Sequence, residues 1–339
     1  MKKVLISDPT LRDGNHAVKH QLSAKQIAAY AAAADAAGVP IVEVGHGNGL
    51  GASSLQVGMS LTNDNMMLKT ARKNLKHSKL GIFLIPGFAT INKDLKPALD
   101  LGADVVRVAC HCTEADITQR HISFARDQGK EVYGVLMMSH MASIETLIDE
   151  CRKMEFYGAE GVILMDSAGA SLPADVSEKI KRLVDNLNIP VGFHAHNNLG
   201  MAIINSVAAA QAGAVILDGT ARGFGAGAGN TQLEVLVAVL QKMGYDTGID
   251  LYKILDAAEM AEKSILPVIP SVKSTSIVSG LAGVFSGFAR HVEHAAAEYK
   301  VDSRDIFFEL GRRRAVAGQE DMIIEIAANL AKNKKGKKT

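Results

Sequence analysis

The chain alternates eight times between a short apolar run and a longer segment with helical periodicity, a pattern that few folds accept. The expected strands are Val4–Leu11, Ile41–His46, Leu80–Pro86, Val105–Cys110, Glu131–Met137, Gly161–Asp166, Val191–His196 and Ala214–Asp218. Helical patterns follow them at Ala24–Ala37, Leu61–Leu75, Ile91–Leu101, Glu114–Gln128, Ile144–Tyr157, Pro173–Asn186, Met201–Ala212 and Thr231–Met243. Several helices close on glycine, as at Gly38, Gly102, Gly158 and Gly213, the residue that takes a left-handed cap without a Cβ clash. The strands are continuously apolar, as burial on both faces of a parallel sheet requires. Eight units in about 245 residues predict an α/β chain closed into a (β/α)8 TIM barrel, with an open doubly wound sheet as the lesser alternative. Three regions are therefore expected: a barrel catalytic domain over 1–248, a helical C-terminal extension over 249–331, and a basic, solvated tail over 332–339.

A closed barrel delivers the carboxyl ends of its strands to one mouth, where active sites of this architecture lie. Polar residues fall at seven of those eight ends: Arg12, Asp13 and His16; Glu43 and His46; Arg107 and His111; Ser139 and His140; Asp166 and Ser167; His194 and His196; Asp218 and Arg222. Arg12, Asp13 and His16 bring a cation for an oxyanion, a carboxylate for a metal and an imidazole for proton transfer to one place. The plainer reading is that Asp8 or Asp13 caps a turn. His194 and His196 are one residue apart on a strand and so share a face. They supply two metal ligands to which Asp13 could add a third, leaving positions open for water and substrate. Against that stands the commoner use of such a pair in ordinary hydrogen bonding.

Composition narrows the rest. No run of about 18 apolar residues occurs and the N-terminus lacks a secretory signal pattern, so a cytoplasmic protein without a membrane span is expected. Three cysteines, Cys110, Cys112 and Cys151, cannot all pair, in keeping with free buried thiols. A net charge of +1 argues against general nucleic-acid binding. The loop Gly219–Asn230 is rich enough in glycine to cradle a phosphate. It carries no Walker lysine and follows the last strand rather than the first, which favours a conformational role, close approach of backbone to the metal site, over nucleotide binding.

Five stretches carry a family resemblance: Thr10-Leu-Arg-Asp-Gly-Asn-His16, Val42-Glu-Val-Gly-His-Gly-Asn-Gly-Leu-Gly-Ala-Ser-Ser54, Phe193-His-Ala-His-Asn-Asn198, the glycine loop ending at Asn230, and Glu309 to Met322. Over nearly its whole length the chain resembles the pyruvate-specific 4-hydroxy-2-oxovalerate aldolases of aromatic hydrocarbon catabolism, within a wider superfamily of metal-dependent lyases on TIM barrels. The resemblance implies a divalent metal, with Mn2+ as the expected ion, held by Asp13, His194 and His196. It implies cleavage of a 4-hydroxy-2-oxoacid to pyruvate and an aldehyde such as acetaldehyde through a metal-stabilised enolate. Arg12 would share that charge, His16 would take the 4-hydroxyl proton, and Ser167 and His194 would contact the pyruvyl part. The C-terminal region would dock an acylating acetaldehyde dehydrogenase, giving a homo- or hetero-oligomer. Where the family carries a tyrosine-bearing stretch bordering the aldehyde pocket, this chain has Ser279-Gly-Leu-Ala-Gly-Val-Phe-Ser-Gly-Phe288, which puts Leu281 and Phe285 at that pocket without hydroxyls. Two rival readings remain, an acyl-CoA Claisen synthase or lyase of the same superfamily and a noncatalytic partner of a dehydrogenase. The loop reads GAGAGN where such synthases show GERAGN, and it holds no catalytic cysteine.

Overall fold

The computed structural model describes residues 2–266, 268–316 and 318–336. Eight parallel strands close into a barrel: β1 (Leu5–Leu11), β2 (Ile41–Val44), β3 (Lys79–Leu84), β4 (Val105–His111), β5 (Glu131–Met137), β6 (Gly161–Asp166), β7 (Val191–Ala195) and β8 (Ile216–Asp218). They pair in chain order, and β8 returns to β1 with Ser7 opposite Asp218. The open doubly wound alternative is thereby removed. A two-residue strand at Lys2–Lys3 pairs in parallel with Tyr245–Asp246 outside the barrel.

Helices α1 (Ala24–Ala36), α2 (Asp64–Asn74), α3 (Lys96–Asp100), α4 (Gln119–Asp127), α5 (Ile144–Phe156), α6 (Pro173–Val184), α7 (Ala202–Ala212) and α8 (Leu233–Lys242) surround the strands. Local chemistry sets their ends. Asn63 caps α2 by accepting from the Met66 N–H at 2.9 Å, so the helix starts after the apolar Leu61 rather than at it. At the other ends Gly38, Gly102, Gly158 and Gly213 take φ of +80°, +95°, +104° and +111°. That is the left-handed stop expected of them.

Alternation along the strands divides the barrel into two environments. Outward residues such as Ile6, Val42, Val106, Val132 and Leu164 pack beneath the helices. Inward residues Ile41, Phe83, Val105, Tyr133, Ile163 and Ile216 fill the barrel itself. The interior is not wholly apolar, as the strand runs suggest it should be. Glu43, Arg107, His194 and Asp218 are also buried there.

Beyond the barrel, α9 (Leu251–Ser264) buries Ile254, Ala257, Ala258 and Ala261 in the apolar core that α1 also lines. Residues after it build a second core from α10 (Ser274–Ala282), α11 (Ala289–Tyr299), α12 (Ser303–Arg312) and α13 (Asp321–Gly336), centred on Phe288, Val292, Ile306, Phe307, Leu310 and Ile323. Helix α13 runs through Lys332–Gly336, the start of the segment assigned from sequence to a solvated tail, because the helical pattern simply continues; 337–339 lie outside the described residues. No helix among the described residues is long and apolar enough to cross a membrane.

Asp8 takes the plainer, turn-capping role. Its carboxylate accepts from the Thr10 N–H at 2.9 Å and from the Tyr30 hydroxyl at 2.7 Å, bracing β1 against α1. Burial outweighs those bonds and pushes its pKa up to about 6. The folded state thus holds this proton more tightly than the unfolded chain does. The associated stability is complete below about pH 4 and is lost as pH rises through about 6. Urea unfolding of the chain and of Asp8→Asn should therefore diverge, with the parent losing on the order of 2–3 kcal/mol relative to the variant between pH 4 and 7. A pH-independent difference would assign the titration elsewhere.

Candidate metal centre and active site

Strand β1 ends at Leu11, and the chain turns at once into a 3-10 turn over Asp13–His16. The turn brings Asp13 across the barrel mouth to the end of β7. There Asp13, His194 and His196 offer ligand atoms all within 4.8 Å of one another, and all three are buried. The distance of some 180 residues along the chain is thus closed by the barrel.

The donor set fits a cation. His194 Nδ1 lies 2.7 Å from Asp218 Oδ2, so Nδ1 carries the proton and donates. That tautomer leaves Nε2 as a bare lone pair, buried without a hydrogen-bond partner, 3.8 Å from Asp13 Oδ2. Two acceptors face each other with no proton between them. Burial lowers His196 to about 3, so its imidazole is neutral and free to ligate, and its Nδ1 also lacks a partner. Burial alone would raise Asp13, but Arg12 and the neighbouring imidazoles outweigh it and hold the carboxyl well below its usual range. The group consists of Arg12, Arg107, Asp13, Glu43 and Asp218, two cations against three carboxylates, and so is one charge negative before its imidazoles are counted. A divalent cation removes that excess where the lone pairs converge.

Arg12 is fixed on three sides. Nε donates to Glu43 Oε1 at 2.5 Å, while Nη1 donates to Asp13 Oδ2 at 2.7 Å and to the Gly47 carbonyl at 3.2 Å. Its guanidinium carbon stands 4.2 Å from the centre of the Phe83 ring. Nη2 remains a buried donor without an acceptor. Asn230, at the end of the glycine loop, donates to Asp13 Oδ1 at 2.9 Å and to the Phe224 carbonyl at 3.0 Å. Nothing in its spacing singled Asn230 out from other loop amides.

His16 meets the centre from the side. Burial lowers its pKa, which keeps a proton-accepting form available. Its ring contacts that of His20 edge-on with centroids 4.9 Å apart, and His20 stacks on His46 at 3.7 Å. Residues Arg12, Asp13, His16, His196, Phe83 and Phe285 share the wall of a cavity of about 40 Å³, room for only a few waters. A larger cavity of about 520 Å³ adjoins it through His16 and Phe285 and reaches the surface past Arg290 of α11.

Other expected residues lie elsewhere. Arg222 turns away to pair with Glu262 at 2.8 Å and Glu234 at 3.3 Å. His140 contacts the Gly283 carbonyl at 3.0 Å, and half-buried His111 contacts the Thr113 hydroxyl at 2.9 Å. Ser167 is fully buried, and its hydroxyl accepts from the Met138 N–H at 3.0 Å rather than facing the inner cavity, where Met137 and Met165 form the wall instead. Leu281 does not border the pocket. It is 65% exposed on the outer face of α10, because that helix turns Ser279 and Gly280 inward, and Phe285 occupies the wall in its place. Gly318 and Glu320 complete the inner wall from the C-terminal segment, a contribution that barrel periodicity could not signal.

The glycine loop takes the conformational role. A Cβ on Gly225 would sit 2.5 Å from Asn230 Nδ2 and 3.0 Å from Asp13 Oδ1, so backbone must pass there bare. Gly225→Ala should push Asn230 off Asp13 and weaken divalent-cation binding about 10-fold by calorimetry. Unchanged affinity would show that the loop yields without disturbing Asp13.

Comparison with known proteins agrees with this geometry. The HMGL-like family profile matches residues 3–261, and the DmpG-like communication domain profile matches 270–332. The chain is 65% identical to a 4-hydroxy-2-oxovalerate aldolase of Pectobacterium atrosepticum, over 98% of this chain and 96% of that protein. It is likewise 65% identical to the protein of the same name from Spirochaeta aurantia, over 96% of each. The carboxyl transferase domain of Rhizobium etli pyruvate carboxylase, solved with pyruvate and biocytin, superposes with a TM-score of 0.83 at 16% identity, over 98% of this chain and 61% of that one, a likeness of fold alone.

Proposed function

The chain belongs to the 4-hydroxy-2-oxovalerate aldolase family of carbon–carbon lyases, and on that premise we propose that it cleaves 4-hydroxy-2-oxovalerate, or a close homologue, to pyruvate and a small aldehyde such as acetaldehyde. The observation that carries this reading is the convergence of Asp13, His194 and His196 beside the unpartnered Nη2 of Arg12. Asp13, His194 and His196 would hold a divalent ion, with Mn2+ expected, which would supply Lewis-acid stabilisation of the charge that develops on the 2-oxo oxygen. Arg12, whose Nη2 has no partner, would donate to the same oxygen. His16 accepts the 4-hydroxyl proton at a ring nitrogen. As that O–H bond yields, the C3–C4 bond breaks, its electron pair passes to the C2–C3 unit, and the aldehyde departs. Protonation at C3 then gives pyruvate.

The cavity supports a small, apolar aldehyde. Beside the polar residues its wall is formed by Val57, Phe83, Ile85, Phe88 and Phe285, without a hydroxyl among them. A polar substituent turned toward these apolar side chains, rather than toward Asn48 or Glu320, would lose its water and gain no partner. We divide the chain after α9, which shares the barrel's core, and assign the docking of an acylating aldehyde dehydrogenase to the communication domain over 270–332.

His194→Ala or Asp13→Ala should reduce pyruvate release from 4-hydroxy-2-oxovalerate by at least ~10³-fold in a lactate-dehydrogenase-coupled assay with Mn2+; activity persisting in either variant after chelation ends the metal-dependent reading. His16→Ala should slow cleavage by about 10²-fold or more while sparing C3 proton exchange of pyruvate, followed by NMR in deuterium oxide. Equal losses would make His16 a structural residue. Phe285→Ala should broaden the range of aldehydes accepted in the reverse condensation, whereas Leu281→Ala should leave that range as it is. The opposite ranking would return Leu281 to the pocket.

A further inference from the structure

Arg107 is the largest fully buried side chain in the barrel, 1% exposed; it does not line the inner cavity, and its ion pairs are with Glu43 and Asp218 rather than with the three metal-ligating groups. Its two terminal nitrogens reach different carboxylates. Nη1 donates to Glu43 Oε2 at 3.2 Å, and Nη2 donates to Asp218 Oδ2 at 2.7 Å. Each carboxylate has a second duty. Glu43 grips Arg12 Nε through its other oxygen at 2.5 Å, and Asp218 accepts from His194 Nδ1 at 2.7 Å. One guanidinium therefore stands between the group that would meet the substrate oxyanion and the imidazole that would hold the cation.

We propose that Arg107 is a positioning residue that couples the two halves of the active site, fixing the rotamer of Arg12 through Glu43 and the ring orientation of His194 through Asp218. The planar fork matters as well as the charge. Glu43 on β2 and Asp218 on β8 flank β1, and Arg107 reaches both from β4 through the two diverging donors of its fork. A lysine ammonium can neutralise one carboxylate at a time. The other then loses one of its two donors, which loosens its hold on the side chain it orients.

This inference rests on the proposed metal-dependent aldolase, and two binding measurements separate the failure of one from the failure of the other. Mn2+ titrated into the apoprotein by calorimetry reads the His194 half. Oxalate, a planar mimic of the pyruvate enolate, titrated into the Mn2+-loaded protein reads the Arg12 half. A parent chain that binds no Mn2+ would overturn the functional proposal itself. Given a parent that binds, Arg107→Lys should weaken both Mn2+ and oxalate binding by about 10-fold or more, within the range of about 10–100-fold seen for groups that orient metal ligands. Glu43→Gln should weaken oxalate and leave Mn2+ within about threefold, and Asp218→Asn should weaken Mn2+ first. An Arg107→Lys protein that keeps both affinities within threefold, or loses only one, overturns the coupling. If Arg107→Lys does not fold, the double variant Glu43→Gln with Asp218→Asn decides the matter. Coupling through Arg107 requires the combined losses to depart from additivity by threefold or more, and additive losses refute it.

Discussion

A chain of buried charge pairs runs across the inside of the barrel, from Asp13 to Arg12 to Glu43 to Arg107 to Asp218, and ends on the hydrogen bond from His194 to Asp218. Its members are 3% exposed or less, so each charge has lost its water and depends on the next for compensation. Such a chain is a poor source of stability, because apolar replacements of the same volume would avoid the desolvation altogether. Its value lies in orientation. Two of the free valences left over, Arg12 Nη2 and His194 Nε2, face the place where the substrate and ion are proposed to sit, while Arg107 Nε and Asp218 Oδ1 stay unpartnered deeper in the barrel.

The barrel makes this arrangement affordable. Strands that alternate inward and outward residues send their outward apolar side chains beneath the helices, so the fold does not rely on the interior alone for its core. The lower interior is filled by Ile41, Val105, Tyr133, Ile163 and Ile216, and the layer above it can carry charge. Closure adds rigidity. Groups on β2, β4, β7 and β8 are held at fixed separation because the strands between them cannot slide without breaking the ring.

The C-terminal helices shape the site from outside the barrel. Phe285, Gly318 and Glu320 come from a region with its own apolar core, yet they wall the same cavity as Arg12 and His196. Any partner bound to that region would therefore press on elements that touch the proposed substrate pocket. His140, which meets the Gly283 carbonyl, provides a direct tie between barrel mouth and extension.

Periodicity in the sequence determines the architecture. Apolar strand runs, helices stopped by glycine and eight repeats leave a closed barrel as the simplest solution, and the two-residue spacing of His194 and His196 fixes their common face because strand geometry is local. The same local logic could not say which of Asp8 and Asp13 caps a turn, since both lie near the end of the first strand and both can accept from a turn. Only the packed structure did so, by placing Tyr30 against one and two imidazoles beside the other. Nor could spacing show that Arg222 points to α9, that Leu281 faces outward, or that Arg107 bridges Glu43 and Asp218. Those outcomes depend on how distant segments rotate and pack when they meet, and that rotation is settled by contacts far apart in the chain, which a one-dimensional pattern does not encode.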